Sequence, residues 1–272
     1  MERERDRERD RETERQRKKE IYIERGRGRV KERTYRKDAF PRIWLSLFIL
    51  FWQAIGKIKT KFETEADRLA IITPDRFEEA IGIMRDFFVP DEPLCIAYDV
   101  KWSEDYYNMV TDVLKSNMSV CLINKESEEM MGVRLMNVAS KSDKPFDLAG
   151  ISDVPLRELF SFLIQEANVP DMFERFGSDE AAHFFSLAVH SKYRKLGVGS
   201  RLLGGAIAMC RELGAKGIKG EGTSSFSQRI YEKEGFETVL TCPYENYKTP
   251  SGQSMRETTG VHSNMKVYLL KL

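Results

Sequence analysis

The stretch "HFFSLAVHSKYRKLGVGSRLL", His183 to Leu203, limits the possible folds more than any other part of the chain. A near-continuous apolar run from Phe184 to Val189 reads as a strand buried on both faces. It passes directly into Val198, Leu202, Ala206, Met209 and Leu213, spaced about four apart, which predicts an amphipathic helix stopped at Gly214. A helix entered straight from a strand exposes unpaired N–H groups at the positive end of its dipole. Gly197 and Gly199 let that backbone approach an anion closely, and Arg194 and Lys195 add charge that can neutralise a diphosphate. Leu196 and Val198 are expected to turn toward the core between the glycines. The stretch therefore predicts a phosphate cradle. A tight basic turn is the alternative, because the third glycine of the dinucleotide fingerprint is missing. Gly204 and Gly205 cost the helix about 1 kcal/mol each relative to Ala, and are expected where another element packs closely.

Upstream of this unit the pattern alternates between strands and helices. "RLAIITP" reads as a strand, and "PDRFEEAIGIMRDFF" as a helix with Phe77, Ile81, Met84 and Phe88 on one face. Asp91 to Leu94 breaks it, and Ser103 is placed to cap the next helix, "SEDYYNMVTDVLKSN". "SVCLIN" and "MMGVRLMNV", parted by "KESEE", predict a hairpin, and "PLRELFSFLIQEAN" a further helix.

The first sixty residues differ in kind. Residues 1–38 hold 16 of the 44 Lys/Arg and 11 of the 43 Asp/Glu, so the remainder is slightly acidic within a net charge of +1. The alternating charges carry no apolar face, which predicts a disordered arm; a basic arm attracting nucleic acid or anionic lipid is the other reading. "IWLSLFILFWQAI", Ile43 to Ile55, would span about 20 Å as a helix, against about 30 Å for a hydrocarbon core. An interfacial or partner-docked helix is expected there, with a signal anchor as the alternative. The domain division expected is 1–60 for the arm and 61–272 for the folded unit. Cys95, Cys121, Cys210 and Cys242 are scattered and the three histidines do not cluster, so neither a disulfide framework nor a metal site is indicated. Reduced thiols fit a cytoplasmic location, with membrane association through Ile43–Ile55 as the alternative.

Three motifs in order carry a resemblance. Arg194, Gly197 and Gly199 match the Arg/Gln-x-x-Gly-x-Gly/Ala pattern of motif A in the GNAT superfamily of N-acetyltransferases. "SQRIYEKEGFETVL", Ser227 to Leu240, resembles the helix ending in Tyr-Glu-Lys-x-Gly-Phe that this superfamily sets before another strand. Asp91-Glu92-Pro93-Leu94 resembles the amino-terminal signature of insect-type arylalkylamine (dopamine-type) N-acetyltransferases. The resemblance covers roughly residues 64–272. It implies an α/β fold with a central mixed, mostly antiparallel sheet flanked by helices. It also implies acetyl-CoA as cosubstrate, a small-molecule amine as partner, no nucleic acid and no metal. The turn from Arg194 through Lys195, Leu196, Gly197, Val198, Gly199 and Ser200 would take the diphosphate. The backbone of Leu187, Ala188 and Val189 would pair with the pantetheine arm, as an added strand pairs with a free edge.

Acetyl transfer from a thioester needs a neutral amine, and a primary alkylamine with a pKa near 10.4 arrives protonated. Glu92 is the candidate base, acting through water or after burial, in agreement with the role the resemblance implies. Tyr231 is the candidate acid for the departing thiolate. Thr223 and Ser227 match two serines implicated in substrate or CoA contacts in the insect-type family, with Thr in place of the first; both hydroxyls are equally suited to helix capping. Phe87, Phe88, Tyr106, Tyr107 and Phe226 are candidates for an arylalkyl pocket, although most are expected in the core. His190, where relatives often carry an acidic residue, is given no role. A protein lysine or N-terminal acetyltransferase and a non-catalytic acetyl-CoA-binding protein remain as alternatives.

Overall fold

Residues 50–272 are described by a computed structural model, and in them seven stretches take up strand geometry. These are β1 (Asp67–Ile71), β2 (Val120–Asn124), β3 (Met130–Ser140), β4 (Glu180–Val189), β5 (Gly217–Gly222), β6 (Glu237–Pro243) and β7 (Asn264–Lys271). They form one sheet in the order β1-β2-β3-β4-β5-β7-β6. Only β4 and β5 pair in parallel, and the crossover that such a pair requires contains α7 (Val198–Glu212). The sheet is thus mixed and mostly antiparallel, as expected.

One face of the sheet is covered by α2 (Phe77–Ile83), α3 (Pro93–Ala97), α4 (Glu104–Leu114) and α5 (Val154–Glu166), through Ile81, Leu94, Val110, Leu114, Leu156 and Leu159. Ser103 caps α4 by accepting from the Tyr106 N–H, as its position predicts. The opposite face is covered by α7 and α8 (Ser225–Lys233), through Leu202, Ala206, Met209 and Tyr231. Two short helices, α6 (Met172–Phe176) and α9 (Met255–Thr258), complete the order.

The described part of the apolar amino-terminal segment joins this second layer. Residues 50–58 form α1, in which Phe51, Ala54, Ile55 and Ile58 are buried in the same cluster as Leu69, Leu202 and Ala206. Their i, i+3, i+4, i+7 spacing is the stripe of a helix lying on a core. The expectation that residues 1–60 stand apart from the folded unit therefore differs from the packing seen over residues 50–58. The charged arm and the start of the apolar run lie outside the described residues. Among the described residues no helix is long and apolar enough to cross a membrane.

Two irregularities prepare the site. The β3–β4 register shifts so that Leu135 opposes Ser186 and Met136 opposes Phe184, which leaves Phe185 as an extra residue on β4. The β4–β5 pairing then ends at Phe184 opposite Gly220, and Phe185–Val189 run on without a β5 partner.

Candidate active site

The strand-to-helix turn forms where expected, with different inner contacts. Gly197 takes φ +74° and supplies no side-chain cap, so the first N–H groups of α7, from Val198, Gly199 and Ser200, stay uncapped. Lys195 is also left-handed at φ +64°. Val198 turns into the core, but Leu196 does not: it is 61% exposed, because the left-handed positions on either side of it, Lys195 and Gly197, swing the turn outward around it. Arg194 also departs from its expected part. Its guanidinium pairs with Asp91 at 2.6 Å and donates to the carbonyls of Phe87 (2.9 Å) and Val189 (3.2 Å). It straps the turn to the loop that carries Glu92. His190, whose ring lies 4.1 Å from that of Phe87, accepts from the Lys192 N–H and braces the same turn.

Glu92 is the N-cap of α3, with Pro93 at the first helical position. The preceding helix widens into a single π turn over Met84–Phe88, which delivers Asp91 and Glu92 to this place. Glu92 is buried; Oε2 accepts from the Cys95 N–H at 2.6 Å, while Oε1 is buried with no hydrogen-bond partner. Burial, followed by the nearby Glu92 charge, pushes the Cys95 thiol well up. Burial and the same carboxylate hold the Tyr244 phenol far above its usual range.

The entrance of α8 lies within reach of this field. Ser224 caps the helix by accepting from the Ser227 N–H, and Ser227 Oγ donates back to the Ser224 carbonyl at 2.9 Å. The capping side chain is thus Ser224, and the Ser227 hydroxyl is bonded back to the carbonyl of that residue. Thr223 meets Tyr244 through its backbone, its carbonyl accepting from the phenol at 2.7 Å. Tyr231, further along α8, is 2% exposed; it stacks on Tyr268 at 4.8 Å and accepts a 2.7 Å hydrogen bond from Arg134. Its ring lies against Gly220, where a side-chain Cβ would collide with the phenol oxygen. The candidate acid therefore sits at the last β5 residue paired with β4, where those two strands part.

His262 is the residue that the sequence reading missed. Its Nδ1 accepts from the Ser225 N–H at 3.1 Å, which assigns the proton of the neutral ring to Nε2. Burial lowers its pKa, the Glu92 carboxylate raises it and Arg256 lowers it further, so the carboxylate and the imidazole share one electrostatic neighbourhood. An isolated histidine in a polar carboxy-terminal stretch gives no periodic signal. Of the aromatic candidates, Phe226 reaches this place, 60% exposed and edge-on to His262. Tyr106 is instead buried in the core and stacks on Trp102, and Tyr107 donates to Glu78. All four cysteines are free and buried, and no group of side chains among the described residues is suited to a metal ion.

Known proteins share this fold. Residues 163–238 match the family model of the acetyltransferase (GNAT) domain. The solved arylalkylamine N-acetyltransferase 2 of Aedes aegypti superposes with a TM-score of 0.69 at 22% identity, over 75% of this chain and 98% of that one. A putative arylalkylamine N-acetyltransferase 7 of the yellow fever mosquito gives 0.64 at 25% identity, over 75% and 87%. The Drosophila melanogaster polyamine N-acetyltransferase, which forms N-acetylagmatine, gives 0.63 at 16% identity, over 76% and 100%. With its mixed sheet, parted β4–β5 pair and uncapped α7, the chain shares the fold of these N-acetyltransferases, and its residues 163–238 are similar to the acetyltransferase (GNAT) domain.

Proposed function

We propose that this protein transfers an acetyl group from acetyl-CoA to the primary amine of a small arylalkylamine, by direct attack within a ternary complex. The observation that carries the reading is Glu92: a buried carboxylate with one oxygen unpartnered, on a loop tied through Asp91 to the Arg194 of the cradle. The residues present fit acetyl-CoA. An uncapped fifteen-residue helix offers N–H groups to the diphosphate, and the unpaired side of Phe185–Val189 offers strand hydrogen bonds to the pantetheine amides.

In this reading Glu92 takes the ammonium proton, directly or through one water, and the free amine attacks the thioester carbonyl. As the tetrahedral adduct collapses, the carbon–sulfur pair moves onto sulfur and Tyr231 supplies a proton to it. Phe226 and His262 flank the entrance on the amine side, and the exposed ring of Phe226 offers an apolar contact to an aromatic substituent. The substrate class is tested by CoA release from the full chain with a panel of arylalkylamines, polyamines and lysine-bearing peptides. Arylalkylamines are expected to give the highest kcat/KM. A peptide preference would favour a protein acetyltransferase, and acetyl-CoA binding without turnover a non-catalytic binding protein; either result contradicts the proposal.

A further inference from the structure

Arg134, on β3, is 2% exposed, and among the described residues it forms no ion pair with a carboxylate. Its Nη2 donates to the Tyr231 oxygen at 2.7 Å and its guanidinium lies 4.2 Å from the centre of the Phe184 ring. Its Nε is buried with no hydrogen-bond partner. A cation in such a place loses several kcal/mol of hydration, which a ring face and one neutral hydrogen bond offset only in part. A leucine or methionine would fill the same volume without that cost, so packing alone does not account for an arginine here.

Direction supplies what packing does not. A guanidinium only donates, so the phenol oxygen must accept from it and the phenol hydrogen is left to point elsewhere. Tyr231 lies against Gly220, the last β5 residue paired with β4, and Arg134 itself stands opposite Leu187, in the part of β4 that has left β5. The other titratable groups facing this pair are few. Tyr268 of β7 stacks on Tyr231, and Cys210 of α7 feels the Arg134 charge. Glu221 of β5 acts on Tyr231 but is itself held by His183 (3.0 Å) and Lys219 (2.7 Å).

We propose that Arg134 is a positioning residue for acetyl transfer: it holds Tyr231 with its hydrogen free for the departing sulfur and stabilises the phenolate left behind. The inference rests on the reading of Tyr231 as the acid. When the carbon–sulfur bond of the adduct breaks, its electron pair goes to sulfur, the Tyr231 O–H bond breaks and its proton forms the CoA thiol. The nitrogen sheds one proton to solvent or Glu92, and the phenolate recovers one from solvent, so no other reactant is needed.

The test compares full-length Arg134→Gln, Arg134→Lys and Tyr231→Phe by steady-state kinetics across pH, with thermal melting as the check on folding. A protonated phenol is required, so kcat falls as pH rises through the phenol pKa. The Arg134 charge lowers that pKa, and its removal must move the alkaline limb to higher pH. Arg134→Gln is expected to lower kcat at least tenfold, to shift the limb upward and to change the acetyl-CoA KM less than threefold. Arg134→Lys, which keeps the cation, should recover part of both effects. A limb that stays in place in Arg134→Gln, or a Lys variant of equal stability that is no better than Gln, overturns the proposal. Should the Gln variant not fold, the Lys variant decides: its weaker donation shifts the limb slightly upward, and an unmoved limb contradicts the pairing. Tyr231→Phe separates the two readings. Wild-type kcat in that variant would mean that Tyr231 is not the acid, whereas a large loss there with no Arg134 effect would mean that only the pairing is wrong.

Discussion

Gly197 sits at φ +74° with no side chain capping the N–H groups after it, the backbone state on which the proposed diphosphate site at the mouth of α7 depends. Gly197→Val is expected to strain the turn and raise the acetyl-CoA KM about tenfold or more, with a smaller effect on kcat, because the lost contact is made before the transition state as well as in it. Unchanged CoA affinity in a binding titration would contradict the cradle. His262 makes a prediction of a different kind. Its folded pKa lies below the ordinary 6.5, so in the unfolded chain the imidazole gains its proton at higher pH than in the folded one. The contribution of this group to stability is therefore intact above about pH 7 and declines as pH falls through 6.5. His262→Gln should flatten that part of the Tm-against-pH curve, and an unaltered slope would remove His262 as its source. At this scale the sequence was legible in residue types more than in contacts. Glu92, Tyr231 and Gly197 could be named from motifs. That Arg194 turns back to Asp91, or that Ser227 spends its hydroxyl on the Ser224 carbonyl, depends on where distant segments meet.

At the scale of elements, α7 and α1 belong together. A Cβ on Gly204 would come within 2.8 Å of the Phe62 ring, and one on Gly205 within 2.9 Å of Leu69, so the two glycines that weaken α7 are what admit the amino-terminal segment and β1. The close approach was readable from the sequence as a cost without a visible benefit. Its partners were not, because Phe62 follows a segment whose composition reads as a separate anchor. Burial of Phe51, Ala54, Ile55 and Ile58 contributes roughly 4–8 kcal/mol in area terms, a large part of the stability of an ordinary domain. A chain beginning at Phe62 is therefore expected to melt more than about 10 °C below the full chain, and one beginning at Leu50 close to it. Equal melting of all three would show that α1 is dispensable and would return the boundary to residue 60. Gly204→Leu should lower Tm by a comparable mechanism, by displacing Phe62.

For the whole molecule, the sheet sets the site by stopping. Its parallel pair closes at Phe184 and Gly220, and the base, cradle and acid proposed here, Glu92, the turn at Gly197 and Tyr231, are carried by α3, α7 and α8. The strand before α7 and the hairpin of β2 and β3 were plain in the sequence because apolar runs met polar turns. "GIKGEG" was not, since half of β5 is glycine and its Gly217 and Gly220 are needed to admit the rings of Phe176 and Tyr231. The central claim is that this opening acetylates an amine with Glu92 as its base. The most direct measurement is kcat/KM for an arylalkylamine from pH 6 to 10, in the full-length wild type and in Glu92→Gln. The variant is expected to be slower by about 10²-fold or more at neutral pH, with the deficit shrinking as the pH approaches the pKa of the amine and free base no longer has to be generated on the protein. A loss of the same size at every pH would contradict the account and leave Glu92 as the cap of α3 alone.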